Sequence, residues 1–255
     1  MKEKATESWK ILLSGRMLLL FLGVAACILF DNAIDLPHHL RSDEGSLYYY
    51  FFGSISFGGL YGTFFASTLC AFPCVFLMRR YPEQKRFAIS CIGGALVYLC
   101  GYLFLFALLS MRMPMLMEYE FQRILEGGMA GRVLPYEKYI LQGFPYGYFI
   151  CALYMGAVSG LFFGAVAGCV SAFTNQQAIV ITSPFVVNLM MTYFSKFWGI
   201  PNQYRLDMIY IMRAIIYSEE ITMILCFVAT ICYVAAMSLL YRSGRRRKLH
   251  EQNNE

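Results

Sequence analysis

YGYFICALYMGAVSGLFFGAVAGCVSAF, residues Tyr146 to Phe173, decides the fold. Small residues recur in it at every fourth position: Ala152, Gly156, Gly160, Gly164, Gly168 and Ala172. At about 1.5 Å per residue this row is roughly 30 Å long, the thickness of one bilayer core. Lipid offers no hydrophobic drive between helices, so close backbone contact must hold them together. A row of small residues permits that contact. The stretch therefore predicts a membrane helix packed tightly against a neighbour.

The rest of the chain has the same character. Of its 255 residues, 58% are hydrophobic and 15% charged. Soluble domains carry about 25% charge. The chain reads as an all-α integral membrane protein, with no stretch polar enough to fold as a soluble domain. Six spans are predicted, at about 11–30, 51–78, 87–111, 146–173, 178–198 and 221–241. They form one membrane domain, 11–241. An amphipathic basic segment, 1–10, precedes it, and a basic tail, 242–255, whose end is expected to be disordered, follows. The start lacks the layout of a cleaved signal, so it is expected to be retained.

Span two carries a second small row, Ser54, Gly58, Gly62, Ala66, Cys70 and Cys74, which makes it the natural partner of the row in span four; spans one and three are the other candidates. Pro73 is expected to kink its inner end. Tyr48, Tyr49, Tyr50, Phe51 and Phe52 read as a membrane-interface belt. Residues 115–126 read as a short amphipathic helix stopped by Gly127 and Gly128. Leu206–Tyr217 is too apolar for a free loop and too short to span, so a re-entrant or interfacial segment fits it.

Charge sets the orientation. One side holds thirteen Lys/Arg against five acids, and the other eight against eleven. The positive-inside rule places both termini in the cytoplasm of a multi-pass cell-membrane protein. Beside a final span the basic tail reads as an orientation signal touching anionic lipid, not as a nucleic-acid site. The nine cysteines lie in or beside apolar segments without a CxxC pair, and read as small packing residues rather than metal or redox groups.

Catalytic patterns are missing. The three histidines, His38, His39 and His250, fall outside the spans, so an HExxH zinc site has no place. Ser159 and Gly160 stand in the order GAVSG, not the GxSG of rhomboid proteases. Glu219 and Glu220 resemble the glutamate pair of CPBP-type membrane proteases, but the arginine four residues later is replaced by Ile224. No GxxxxGK[ST] loop is present. The chain is expected not to be an enzyme, and to need no cofactor and no metal.

Three local features combine with the six-span plan. They are the amphipathic basic start, the stretch YYYFFGSISFGGLYGTFFASTLCAFPCVFLMRR (48–80) running into a basic turn, and the apolar segment between spans five and six. Together they resemble the membrane subunit of ABC-2 type exporters. The resemblance implies a separate ATP-binding subunit and a homodimer, or a heterodimer with a similar permease. It also makes Arg79, Arg80, Glu83, Lys85 and Arg86, in the turn after span two, the candidate ATPase-coupling residues. A substrate-binding component of a vitamin-type importer and a non-transporting membrane partner protein are the alternatives.

Overall fold

A computed structural model describes residues 15–39, 41, 45–52, 65–78, 86–126, 136–201 and 219–253. Every regular element among them is a helix. In chain order these are α1 (Gly15–Asp31), α2 (Leu36–His39), α3 (Leu47–Phe52), α4 (Ala66–Leu69), α5 (Phe72–Met78) and α6 (Arg86–Ser110). There follow α7 (Glu118–Leu125), α8 (Lys138–Leu141), α9 (Pro145–Val170), α10 (Gln177–Phe197) and α11 (Glu219–Asn253).

Four helices are long and apolar enough to cross a membrane, within α6, α9, α10 and α11. That is compatible with an all-α membrane protein. The apolar helices α1 and α4–α5 are shorter as described. They adjoin residues 11–14 and 53–64 of the predicted first and second spans, which lie outside the described residues, as does the predicted segment Leu206–Tyr217.

The centre of the molecule is α9. In its most apolar window 72% of the residues are buried, against 11% in α11. The outward face of α11 shows Ile221, Ile224, Phe227, Val228 and Ile231. On a soluble protein so large an apolar face would demand a partner, whereas on a helix of this length acyl chains can cover it.

Proline punctuates the helices as its chemistry requires. Pro73 has no N–H to offer the carbonyl of Leu69. The helix breaks just there: α4 ends at Leu69, Cys70 and Ala71 form a turn, and α5 starts at Phe72. The predicted second span is thus jointed next to Pro73, where its sequence predicts a kink. Pro184 lies inside α10 without ending it. Its missing N–H would leave the Val180 carbonyl unpaired, and the Ser183 hydroxyl donates to that carbonyl at 2.8 Å.

The last helix differs from expectation. The predicted tail is not a separate segment; α11 continues from the apolar run to Asn253. At about 1.5 Å per residue, its 35 residues reach roughly 50 Å, well beyond one bilayer core. Arginine and lysine are good helix formers, so the basic run offers no reason to stop.

Candidate functional site

Among the described residues the small-residue row of α9 meets α6, the predicted third span, which the sequence offered beside span two as a candidate. The approach is backbone to backbone. A Cβ added to Gly160 would lie 2.8 Å from the Gly94 carbonyl carbon and 3.0 Å from Ala95 Cα. One added to Gly164 would lie 3.1 Å from both Cys91 Cα and the Ser90 carbonyl carbon. The Ser90 hydroxyl crosses the seam and donates to the Gly164 carbonyl at 2.8 Å. Towards the ends the seam widens to admit side chains. Tyr102 lies over Gly156, and Phe87 over Gly168. Ala152 and Ala172 are buried at either end of the row.

Of the small row of span two, Ala66, Cys70 and Cys74 are among the described residues. Gly94 offers backbone approach on α6, so Cys70 also turns to it, its thiol 3.7 Å from the Gly94 carbonyl. One turn on, the Cys74 thiol lies 3.7 Å from the carbonyl of Ala167, which is off the small-residue row of α9. Ala66 is fully buried, while Gly58 and Gly62 lie outside the described residues. Cys70 and the row of α9 therefore share Gly94 of α6.

A second site lies at the Tyr48 end of the bundle. Tyr48, Tyr50 and Phe51 are buried, so the aromatic run is not a lipid-facing belt. The correction has a physical cause: each phenol finds a polar partner from another segment. Tyr48 donates to the Glu137 carboxylate. Tyr49 donates to Asp35 at 2.6 Å. The Tyr50 hydroxyl lies 3.2 Å from His39 Nδ1. Burial, and then the Asp35 carboxylate, push the Tyr49 phenol above its usual range. The same two causes raise Tyr50 to about 12.

Two carboxylates are buried beneath this cap, Glu120 and Glu137. Glu120 ties two helix starts together. One oxygen accepts the Met117 amide at 2.8 Å and so caps α7. The other accepts the Ser46 hydroxyl at 2.7 Å. The same Ser46 oxygen accepts the Tyr49 amide at 3.0 Å and caps α3. Leu47 and Tyr48 amides, the other open donors of that first turn, bond to the carbonyls of Pro114 and Met115. The segment 114–120, at the predicted short amphipathic helix, is thus strapped to residues 46–49, just before the predicted second span. An ion pair at 2.5 Å, Lys138 to Glu220, joins the cap to the start of α11. Glu220 is more than half exposed there, so its energetic weight is small.

Burial pushes the Glu120 carboxyl above its ordinary value, against the opposing pull of the Met117 amide, Ser46 and Arg123. A raised folded-state value means the protonated form fits the fold better. The stability Glu120 contributes is therefore fully present below its unfolded value and is lost as pH rises through the folded one. Mild acidification should raise the melting temperature of the wild type relative to Glu120→Gln. Ser46→Ala should cost about 2 to 4 kcal/mol, from one lost cap and one lost hydrogen bond to a charged group. A denaturant titration of the purified variant reads that loss directly.

The candidate coupling residues fall mostly beyond view. Arg79, Arg80, Glu83 and Lys85 lie outside the described residues. Arg86 opens α6 and is only 6% exposed, near Cys74 and Phe87. An exposed basic face in this turn would be made by the residues before it. Six of the nine cysteines are buried among apolar neighbours, and Asn188 is buried on α10.

No protein-family model, curated protein or solved structure matches this chain.

Proposed function

We propose that the chain is the membrane-spanning permease subunit of an ABC-type transporter, an exporter, energised by a separate ATPase subunit. Two copies, or one copy with a similar permease, form the pathway. In this reading six spans cross the cell membrane with both termini in the cytoplasm, and the basic turn 79–86 receives the ATPase. One observation supports it above others. The predicted second span is jointed at Cys70 and Ala71, one short helix before that turn.

A push on the turn would act on α5, the short lever beyond the joint. That lever rests on α9 and α10 through Ala71, Cys74, Val75, Ala167 and Val180. The seam between α6 and α9 has no room to deform, so those two helices would move as one body. A joint beside a rigid pair is the arrangement a power stroke needs.

The test is reversal of the turn's charges, Arg80→Glu with Glu83→Arg. Arg79, Lys85, Arg86 and the tail keep the basic side basic, so insertion should be retained. ATPase co-purification with the tagged chain should fall several-fold and transport with it. Full ATPase binding and full transport by the variant would remove the coupling role and the main support of the exporter reading. A tightly retained small molecule in the purified chain would instead favour the importer component.

A further inference from the structure

We propose that the Arg242 end of α11 is a binding surface for anionic phospholipid headgroups, a role that does not depend on the transport reading. The helix does not stop where its apolar run stops. Three independent features mark that level. Tyr241 is buried and packs at a tilt against Phe87, at the very start of α6, with ring centroids 5.4 Å apart. A Cβ at Gly244 would lie 2.7 Å from the ring of Phe173, in the turn that ends α9. The polar turn Thr174–Gln176 follows directly. The start of α6, the turn after α9 and the end of the apolar run thus share one height, the height of a membrane boundary.

Register then decides what faces outward. Tyr241 and Gly244 are buried against the bundle, which fixes the rotation of the helix about its axis. Arg242 and Arg246, one turn apart, are exposed, and Arg245 between them is half-buried. The glycine lets α11 lie directly against the Phe173 ring, which a side chain at 244 would have to displace. The occupant follows from charge and place: guanidinium groups pair with phosphate oxygens in two-point contacts. At the boundary of an apolar bundle, phospholipid headgroups supply those phosphates.

Native mass spectrometry of the purified full-length chain in neutral detergent tests this, with phosphatidylglycerol, phosphatidylcholine and soluble glycerol phosphate as probes. Phosphatidylglycerol should bind more tightly than phosphatidylcholine. Arg242→Gln with Arg246→Gln should cut that preference about tenfold, or ~1.4 kcal/mol. The double lysine variant should keep most of the preference, and Lys138→Gln, at the other end of α11, should keep all of it. Equal binding of the two lipids, or a preference unchanged by the double glutamine variant, overturns the proposal. So does glycerol phosphate binding as tightly as the lipid, which would make this a free-phosphate site.

Discussion

Leucine at Gly164 should unfold or grossly loosen this protein, and leucine at Gly160 should do nearly the same. The Gly164 position leaves a Cβ only 3.1 Å from Cys91 Cα and from the Ser90 carbonyl carbon. These are backbone atoms of α6, so no rotamer change relieves the contact. The two helices must separate along the whole seam. Separation also breaks the Ser90 to Gly164 hydrogen bond, inside a region where no solvent replaces it. Overpacking with movable neighbours costs about 1–3 kcal/mol. With immovable ones a cost above ~3 kcal/mol is expected for each leucine.

The same geometry ranks the other glycines. Gly156 faces the Tyr102 ring, which can swing, so its leucine should cost less. Gly101 leaves no room even for alanine. A Cβ there would lie 2.6 Å from Val24 Cβ, where α1 packs on α6. Gly15, with no atom of the described residues within 4 Å, is the proper neutral control. Thermal unfolding in detergent reads the series. Gly160→Leu and Gly164→Leu melting together with the Gly15→Ala control would show that the seam does not hold the fold.

The central helix was readable because its cause is local. Lipid selects length and apolarity within one segment, and close packing selects small residues on one helix. The partner of the ridge is a different matter. Two rows with equal spacing, one in span two and one in span four, look complementary on paper. Whether they meet depends on the helix between them. Gly94 lets α6 come within backbone contact of α9, and Cys70 then finds the same glycine from the other side. Single-chain periodicity contains no such competition. The joint before Pro73 was readable, since a missing N–H acts on its own helix. The continuation of α11 to Asn253 was not, since solvation alone does not say whether a basic stretch leaves the helix it follows.

The tyrosine run failed as a reading for the same reason as the ridge. Aromatic residues at a predicted membrane boundary suit an interface belt, provided their polar ends face water or headgroups. Here acids from three other segments face them instead. Asp35, Glu120 and Glu137 lie far apart in the chain, and nothing local links them to Tyr48 or Ser46. One signal was present. An apolar chain that places acids in partly apolar loops needs partners for them, because burial of an unpaired charge is prohibitive.

That cap yields the second large prediction. Tyr48→Phe should destabilise the protein by about 1.5–3 kcal/mol, the worth of a buried hydrogen bond to a charged group. The hydroxyl donates to Glu137, which is 1% exposed, so water cannot replace it. The phenylalanine ring still packs on Tyr148, whose centroid is 5.3 Å away, so the loss reports the hydroxyl and not the ring. Glu137→Gln should cost less in combination than alone, because the two changes remove one shared interaction. A double-mutant cycle should therefore show coupling of at least ~1 kcal/mol. Glu137 keeps other contacts, so neither single variant measures the pair by itself. If the two losses simply add, the phenol and the carboxylate are independent, and the strap is held by Ser46, Glu120 and the two backbone bonds alone. If they couple as expected, the start of span two and residues 136–144 form one unit. Any outward opening of the bundle must then either break that bond or carry the whole cap with it.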